Sequence, residues 1–471
     1  MAKRDKEAQI IENLTVEHIA AEGKCIAHTE DGVVVFIEYA VPGDVVNVRV
    51  LRKKKSFIDA KIIEIVKPSK YRLEPFCEHF GICGGCRWQL IPYPMQLESK
   101  RRQVADQFRR IGHLEFPEVS PTIGSDKTVL YRNKLEFTAS NKRWILPDED
   151  PDNIPSDQRQ GLGFHVGKFF DKVLDIKRCY LQKEPSNAVR LFIKDYAISH
   201  SIPFYDIREN SGVFRNMFVR TTDDGQMMLI VCFAVEFDGR EAMLDAIADA
   251  FPEVTSLYYV INSKLNDSIA DQECILYRGD AAIYERMEDL RFKIGPKSFY
   301  QTNNAQAIKL YSVARDFASL TGEETVYDLY TGTGTIAQFV SAKASKVIGI
   351  EYVPEAIEDA KANARDNGIG NCEFFAGDMK DILTGDFIAE HGRPDVIIAD
   401  PPRAGMHPDV VETILRAEPE RIVYVSCNPA SQARDLEVLC RKYRITDVQP
   451  VDMFPHTQHV ENVCRLELNN R

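Results

Sequence analysis

Two short motifs near the end of the chain carry residues able to do covalent chemistry. Cys427 lies in Ser426-Cys427-Asn428-Pro429, directly after the apolar run 422–425, and Asp400 opens Asp400-Pro401-Pro402-Arg403 after the apolar run 396–399. Each side chain is therefore expected at the carboxyl end of a strand, where ligands bind in open α/β sheets. A helix that starts after Cys427 would also lower the pKa of its thiol. We predict a cysteine nucleophile beside an acid in one crevice, which indicates covalent group transfer.

A thiol and carboxylates in one crevice suit addition to a pyrimidine ring. Uracil is not nucleophilic at C5, but a thiolate that adds to C6 converts the ring into an enolate that is. A base must then remove the C5 proton so that the thiol can leave. Glu461 is the best candidate, because it stands near the start of a last strand that returns to the same face. Two alternatives stay open. In the first, Cys427 is a buried structural thiol. In the second, the protein methylates an amino group of a base. In enzymes of that kind an aromatic residue usually follows the two prolines, whereas this chain has Arg403.

A glycine-rich turn upstream predicts a nucleoside cofactor. The turn, Asp328-Leu329-Tyr330-Thr331-Gly332-Thr333-Gly334-Thr335, follows a strand and precedes a helix, but it lacks the third glycine of the dinucleotide fingerprint. Glu351 ends the next strand, where a carboxylate can hold a ribose diol, and Asp378 follows the strand after that. Acidic residues on successive strand ends favour the sulfonium and ribose of S-adenosylmethionine. NAD is the weaker alternative, and a purely structural loop is the other.

Three cysteines separated by glycines predict a metal site. Cys77, Cys83 and Cys86 lie within ten residues of one another, and Cys179 is the candidate for a fourth ligand. An all-thiolate set suits an iron-sulfur cluster or zinc, and free structural thiols are the alternative. The chain has 11 cysteines, an odd number for a secreted disulfide framework, and their clustering is more typical of metal binding or catalysis in a reducing compartment.

The remaining elements must position these groups. Period-two alternation from residue 10 to about 68 predicts a small β-barrel, with the basic loop Arg52-Lys53-Lys54-Lys55 between two of its strands. An amphipathic helix at 95–111 carries the cations Lys100, Arg101, Arg102, Arg109 and Arg110. We assign phosphate contacts to this loop and this helix. From about residue 295 strands alternate with helices, which predicts a doubly wound α/β sheet.

Length and charge limit the class of protein. A chain of 471 residues is expected to form two or three domains. Its net charge is −12, yet residues 1–145 carry 24 Lys and Arg against 19 Asp and Glu, so the front of the chain is basic, as a phosphate-binding surface requires. No apolar run approaches the roughly 20 residues of a membrane span, and the N-terminus is polar. We expect a cytoplasmic monomer with no membrane contact.

These motifs together resemble those of the bacterial RNA uracil-5-methyltransferases, most closely the iron-sulfur branch that methylates 23S ribosomal RNA. Residues 10–67 resemble the RNA-binding TRAM barrel of that family. Phe299-Tyr300-Gln301-Thr302-Asn303 matches the segment whose glutamine touches S-adenosylmethionine. The motifs at Asp400 and Cys427, and His459-Val460-Glu461, match the substrate, nucleophile and base motifs. The turn Glu22-Gly23-Lys24-Cys25 departs from the Gly-x-Gly that the family tends to have.

The resemblance implies an α/β fold with three parts. These are an OB-like TRAM barrel (1–68), an α+β iron-sulfur domain (69–295) and a Rossmann-like doubly wound methyltransferase domain (296–471). Helix 95–111 would pack on the last of these. The implied roles are cofactor binding by Gln301, Tyr330, Glu351, Asp378 and Asp400, uracil binding by Asp400, nucleophile Cys427 and base Glu461. The implied ligands of a [4Fe-4S] cluster are Cys77, Cys83, Cys86 and Cys179.

Competing functions stay open at this point. The leading interpretation is methylation of uridine C5 in 23S ribosomal RNA through a covalent adduct of Cys427, and transfer RNA is the alternative substrate. A different class would be a non-catalytic RNA-binding iron-sulfur protein with a degenerate catalytic half. A third class would be an iron-sulfur redox enzyme, which the missing flavin or dinucleotide loop disfavours. The sequence does not identify the target nucleotide.

Overall fold

The N-terminal part of the chain forms a curled β-sheet. The computed structural model describes residues 9–167 and 169–469, so the first eight residues of the predicted 1–68 domain lie outside it. The strands are β1 (Ile10–Thr15), β2 (His18–Ile19), β3 (Cys25–His28), β4 (Val34–Ile37), β5 (Val45–Lys53) and β6 (Phe57–Lys67), in the spatial order β1-β5-β6-β4-β3-β2. Only the β4–β6 pairing is parallel among these neighbours. Alternate residues such as Val35, Ile37, Val46 and Val48 fill the interior, as a half-buried strand requires.

The basic run 52–55 is only partly a loop. Arg52 and Lys53 are the last two residues of β5, where they pair with Asp59 and Ile58 of β6. The loop predicted for all four residues is therefore wrong in its first half, because backbone pairing with β6 continues to Lys53 although the side chains of residues 52–55 are all exposed.

A second sheet occupies the middle of the chain, after helix α1 (Tyr93–Arg110). Its strands are β7 (Lys134–Ser140), β8 (Gly161–His165), β9 (Val173–Leu174), β10 (Phe214–Thr221), β11 (Met227–Phe233), β12 (Val254–Ile261) and β13 (Ile275–Gly279), in the order β13-β12-β11-β10-β7-β8-β9. Helices α2 (Ser186–Ser199) and α3 (Arg240–Ala250) cover one face through residues such as Val189, Ile193, Met243 and Ile247. A hairpin turn at Asp224-Gly225 joins β10 to β11, and Gly225 has the positive φ of 95° that such a turn favours.

The C-terminal sheet is doubly wound, as predicted. A hairpin of β14 (Ile283–Met287) and β15 (Leu290–Ile294) precedes it, followed by α4 (Asn304–Ala318). The alternating elements are then β16 (Thr325–Leu329), α5 (Thr335–Ser341), β17 (Lys346–Glu351), α6 (Pro354–Asp366), β18 (Cys372–Ala376), α7 (Met379–Ile382), α8 (Gly385–His391), β19 (Val396–Ala399), α9 (Pro408–Ala417), β20 (Arg421–Ser426), α10 (Pro429–Leu439), β21 (Tyr443–Val451) and β22 (Glu461–Leu468).

Strand order places a crevice at the carboxyl ends of β16 and β19. The order is β18-β17-β16-β19-β20-β22-β21, parallel from β18 to β20 and antiparallel at β22 and β21. The chain moves outward from β16 to β18 and then returns to the other side of β16 at β19. This reversal is the switch point at which open α/β sheets bind ligands.

Helix α1 belongs structurally to the C-terminal sheet. Its residues Val104 and Phe108 are buried in the same core as Tyr327, Ile397 and the residues of α10. Among the described residues, no helix is both long enough and apolar enough to cross a membrane.

One predicted phosphate contact on α1 is wrong. Lys100 is fully buried, and its Nζ lies 2.5 Å from Asp452 Oδ1. A buried cation needs a partner because desolvation is costly, and Asp452 supplies it while also accepting a hydrogen bond from the Tyr93 hydroxyl. Lys100 therefore pins α1 to the end of β21 and is not available to RNA. Arg102, Arg109 and Arg110 are exposed.

Candidate active site

The glycine-rich turn is built around a buried acid. Asp328 Oδ2 accepts hydrogen bonds from the backbone N–H of Ala337, at 2.9 Å, and from the Thr331 hydroxyl. These bonds tie the turn to the first residues of α5, and burial raises the pKa of Asp328 to about 7. Gly334, at φ 76°, has no room for a side chain, because a Cβ would lie 2.9 Å from both Ala360 and Phe374. Glycine is therefore required where the turn packs against α6 and β18.

A cavity at the switch point unites three of the predicted cofactor residues. Gln301, Tyr330 and Asp400 line it together with backbone and side chains of the turn. The full lining is Met287, Phe299, Tyr300, Gln301, Tyr311, Tyr330, Thr331, Gly332, Thr333, Thr335, Ile336 and Asp400. Gln301 comes from the segment before α4, Tyr330 from the end of β16 and Asp400 from the end of β19.

The two other predicted cofactor residues stand at the margin of this cavity. Glu351 accepts hydrogen bonds from the backbone N–H of Gly332, at 3.1 Å, and of Val353, at 3.0 Å, so it holds the turn from the neighbouring strand. Asp378 caps α7 and forms an ion pair with Lys380 at 2.9 Å. The charges of both acids raise the pKa of Tyr330, after the larger effect of burial. Among described residues, neither acid is part of the cavity lining.

Strand pairing brings Cys427 and Glu461 together. In the antiparallel β20–β22 pair, Ser426 is opposite Asn462, so the next pair outward is Cys427 and Glu461. Strand β19 runs parallel on the other side of β20 and ends one residue before Asp400. The nucleophile and the two carboxylates predicted from the sequence therefore share one edge of the sheet, although more than 60 positions separate Asp400 from Glu461 along the chain.

The thiol of Cys427 is not activated as the sequence suggested. Burial, together with the charges of Glu461 and Asp400, raises its pKa to about 11. The predicted lowering by the start of α10 is wrong for two reasons. Pro429 has no backbone N–H, and the Asn428 side chain already accepts the hydrogen bond of Ala430 N–H, at 3.2 Å. Only the nearby Arg403 guanidinium acts in the opposite direction and favours the thiolate.

The pKa values of Glu461 and Asp400 both lie near neutral pH. Burial and the charge of Asp400 raise the pKa of Glu461 to about 8, against a smaller opposing effect of Arg403. Burial and the charge of Asp328 raise the pKa of Asp400 to about 7. Carboxyl groups with pKa values this high can take up or release a proton at working pH, as general acids and bases must.

Two further residues join the site. The Arg403 side chain carries the cation nearest to Cys427 and Glu461, and its carbonyl accepts hydrogen bonds from Asn428 Nδ2 and Ser431 Oγ, which fix the loop after β19 on α10. Tyr311 of α4 lines the cofactor cavity, and burial and the charge of Asp400 raise its pKa. The sequence singled out Arg403 only as a departure from the amino-methylation motif. It gave no sign of Tyr311, which enters the site through the packing of α4.

The raised pKa of Glu461 predicts how the free energy of unfolding changes with pH. In the folded protein Glu461 keeps its proton up to about pH 8, whereas in the unfolded chain it releases the proton near pH 4.3. Burying this carboxyl therefore costs stability increasingly as the pH rises between these values. We expect Glu461→Gln to gain stability relative to wild type, with a margin that grows to a few kcal/mol between pH 5 and 9. Urea unfolding at pH 5, 7 and 9 measures it.

Glu467→Gln is the matched control for that measurement. Glu467 lies on the same strand, but hydrogen bonding to Arg444 lowers its pKa. It is ionised in both states above pH 5, so its replacement should show no growing margin. A margin for Glu461→Gln that stays constant with pH would contradict the raised pKa.

The four predicted metal-binding cysteines line one cavity in the middle of the chain. Cys77, Cys83, Cys86 and Cys179 surround a volume of about 370 Å³, together with residues that include Arg132 and Arg178. Burial raises the pKa of Cys83 to about 12 and that of Cys86 to about 11, and the charges of neighbouring cysteines in the set add to both effects. Across residues 9–167 and 169–469, no group of three or more His, Cys, Asp or Glu side chains is arranged to hold a metal ion.

Comparison with known proteins identifies the family. Residues 280–469 match the family model of tRNA (Uracil-5-)-methyltransferase, and residues 11–63 match the TRAM domain. An uncharacterized RNA methyltransferase of Bacteroides thetaiotaomicron is 56% identical over 96% of this chain and 100% of its own length. One of Chlorobaculum tepidum is 39% identical over 98% of this chain and 97% of its own length.

A solved structure shares the whole architecture. The tRNA (uracil-54, C5)-methyltransferase of Pyrococcus abyssi, in complex with S-adenosyl-L-homocysteine, superposes with a TM-score of 0.74 and 27% identity, covering 97% of this chain and 100% of its own. The fold, the strand-end site and the sequence matches agree. The chain belongs to the RNA uracil-5-methyltransferase family and carries a TRAM domain in front of its methyltransferase fold.

Proposed function

We propose that this protein transfers a methyl group from S-adenosylmethionine to C5 of a uridine in 23S ribosomal RNA through a covalent Cys427 adduct. The observation that carries the proposal is the shared sheet edge of Cys427, Glu461 and Asp400 beside the cavity lined by Gln301. Covalent addition at C6 needs a thiol, and the later loss of the C5 proton needs a base within reach. An amino-group methylation would need neither.

Each residue has a distinct task in this reaction. Cys427 adds to C6 and makes C5 nucleophilic, and S-adenosylmethionine supplies the methyl group to C5. Asp400 donates a hydrogen bond to the uracil edge in this proposal, and its pKa of about 7, which lets it hold a proton, supports that role. Glu461, in its ionised form, then takes the C5 proton, and the bond between C6 and sulfur breaks, which regenerates the Cys427 thiolate. Arg403 is the cation that favours the thiolate over the thiol.

The cofactor is held mainly by the glycine-rich turn and its neighbours. Gln301 and Tyr330 line the cavity, and Glu351, fixed by the backbone of the turn, is placed to bind a ribose diol. Asp378 lies outside the cavity lining, where its carboxylate forms an ion pair with Lys380. The S-adenosyl-L-homocysteine bound to the Pyrococcus abyssi protein supports this assignment. We also propose that the chain divides into domains at 1–68, 69–295 and 296–471, with α1 packed on the last domain.

The cysteine cavity is proposed to hold a [4Fe-4S] cluster with a structural task. Four thiols around one cavity match the ligand set of such a cluster. In such a cluster each cysteine binds a different iron, whereas the four ligands of a zinc ion must all reach a single centre. Because burial raises the thiol pKa values, binding must release protons.

We expect anaerobically purified protein to be brown and to contain about four irons per chain. Cys179→Ser should lose this iron and its visible absorbance, because one of the four thiolates is gone. Cys274→Ser, at a half-buried cysteine elsewhere in the middle of the chain, should keep both. Iron analysis and absorption spectroscopy measure the effect. One zinc per chain without visible absorbance would contradict the identity of the metal.

RNA binding is proposed to involve the exposed lysines at the end of β5 and directly after it, together with the arginines of α1. We expect Lys53, Lys54 and Lys55, replaced together by Ala, to weaken RNA binding and to flatten its salt dependence by up to about 0.7 in slope per lost contact with a single strand. Affinity for S-adenosylhomocysteine should not change. The control triple Lys343, Lys346 and Lys361 to Ala removes equal charge from the methyltransferase fold. Equal slopes in wild type and the first triple would remove this surface from the RNA footprint.

Transfer RNA is the second candidate substrate. The matching family model and the Pyrococcus abyssi protein are both named for tRNA, whereas the four-cysteine cavity and the resemblance to the iron-sulfur branch favour ribosomal RNA. Mapping 5-methyluridine in 23S and transfer RNA from cells with and without the protein distinguishes the two. Loss confined to 23S RNA supports the proposal, and loss confined to transfer RNA contradicts it.

A further inference from the structure

A short stretch of chain joins the cysteine cavity to the active site. We call residues Leu130, Tyr131, Arg132 and Asn133 the bridge segment. On one side, the backbone N–H of Leu130 donates to the carbonyl of Tyr180 at 2.9 Å, and that of Arg132 donates to Leu181 at 2.7 Å. Tyr180 and Leu181 directly follow Cys179. One side of the bridge segment is therefore hydrogen-bonded to the two residues that follow this cysteine.

The other side of the bridge segment holds the cofactor segment. Asn133 Nδ2 donates to the carbonyl of Gln301 at 2.9 Å, and the Asn133 backbone N–H donates to Thr302 at 2.8 Å. Gln301 lines the cofactor cavity. The backbone of Gln301 is thus held by Asn133, the residue directly after Arg132, whose backbone N–H bonds to Leu181 on the cavity side.

The bridge segment also holds the connection that leads to Glu461. The Tyr131 hydroxyl donates to the carbonyl of Pro455 at 3.1 Å, and the Arg132 guanidinium lies 5.3 Å from the centre of the Phe454 ring. Both partners lie between β21 and β22, a few residues before Glu461, which opens β22. The same four residues therefore contact the supports of both the cofactor site and the base.

A second contact runs from another cysteine to the same connection. The backbone N–H groups of Arg87 and Trp88, which directly follow Cys86, donate to the carbonyl of His456 at 2.9 and 3.0 Å. The Phe76 ring, next to Cys77, lies 5.2 Å from the His456 ring. His456 has a positive φ of 64°, a conformation that surrounding contacts must impose.

Arg132 is the charged member of the bridge segment. It lines the cysteine cavity together with Cys86 and Cys179. Its Nε is buried and has no hydrogen-bond partner among the described residues. The guanidinium packs on Phe454, and a negatively charged all-thiolate group bound in the cavity would attract it.

We propose that the bridge segment makes the occupied cysteine site a support of the catalytic centre, with Tyr131, Arg132 and Asn133 as positioning residues for Gln301 and for the connection before Glu461. The inference rests on the proposed function, because it takes the cysteine cavity as a cluster site and Gln301 and Glu461 as active-site residues. It goes beyond a structural task for the cluster in the middle of the chain. Emptying the cavity should loosen residues 452–460 and weaken cofactor binding at Gln301, although both lie more than 100 positions from any cysteine ligand in the sequence.

Two arginines of the cavity provide a matched pair of variants. Arg132 and Arg178 both line it, but Arg178 stacks on Tyr180, at 5.0 Å, and not on the connection before β22. We expect Arg132→Ala to keep its iron and to speed hydrogen exchange of residues 452–460, and Arg178→Ala to keep both iron and wild-type exchange. Asn133→Ala should weaken S-adenosylhomocysteine binding roughly 2- to 10-fold, the effect of one lost hydrogen bond, with its iron content unchanged.

The coupling itself is tested by removing the iron from the intact protein with an oxidant and a chelator. In wild type this should speed exchange of residues 452–460 and lower the S-adenosylhomocysteine affinity in calorimetry. In Asn133→Ala, where the connection to Gln301 is already broken, removal should lower the affinity little further. Equal losses in both proteins, or unchanged affinity and exchange in wild type, would overturn the proposal. These readouts need no RNA, so they are independent of whether Cys427 forms an adduct with uridine.

Discussion

Cys427→Ala is expected to abolish methyl transfer while RNA binding persists. The side chain removed is the nucleophile that makes C5 reactive, and no other thiol shares the edge formed by β19, β20 and β22 among the described residues. Loss of such a nucleophile should cost at least roughly 10⁴-fold in rate. Methylation of ribosomal RNA with labelled S-adenosylmethionine measures it. Cys440→Ala, just after α10, is the control and should remain active.

The same variant gives a second readout with a fluorinated substrate. Wild type should form a stable covalent complex with 5-fluorouridine RNA, because fluorine at C5 cannot leave as a proton. Cys427→Ala should form none, and Cys440→Ala should form as much as wild type. A covalent complex with Cys427→Ala would show that another residue is the nucleophile.

Glu461→Gln is expected to stop the reaction one step later. With the base gone, the C5 proton stays after methylation, so RNA that is already methylated should remain attached to Cys427. Loss of a general base costs roughly 10²- to 10⁴-fold in rate. Gel analysis of the protein–RNA complex followed by nuclease digestion and mass spectrometry detects the trapped species. Glu467→Gln, on the same strand, should release free product normally.

The outcome for Glu461→Gln separates the base from the nucleophile. A methylated adduct assigns Glu461 to proton removal, whereas free methylated product released at wild-type speed would rule that role out. The variant should also be more stable than wild type above neutral pH, because it no longer buries a carboxyl group whose pKa is raised to about 8. Loss of function with a gain of stability is typical of active-site residues.

The sequence was sufficient to predict which residues meet, because strand order in a doubly wound sheet follows from its alternating elements. Asp400 and Cys427 follow apolar runs, and parallel strands bring such ends to one edge. Predicting the position of Glu461 requires one further assumption, because only an antiparallel last strand brings its first residue to this edge. The structure contains that strand, with Ser426 opposite Asn462.

Electrostatics and packing could not be predicted in the same way. The pKa of Cys427 depends on burial and on two carboxylates that are distant in sequence, so the local argument from the start of α10 had the wrong sign. Helix periodicity predicts a phosphate contact at Lys100, but it does not show that Asp452 lies beside this side chain. Tyr311 and the bridge segment likewise depend on tertiary contacts that no local pattern indicates.

Tritium release from RNA that carries 5-tritiated uridine tests the central claim most directly. Each methyl transfer to C5 must expel the hydrogen already there, so the account predicts release of tritium into water that requires S-adenosylmethionine and equals the number of methyl groups incorporated. Cys427→Ala should release none. Methyl incorporation without tritium release would contradict C5 methylation, and RNA binding with neither would indicate a non-catalytic RNA-binding protein.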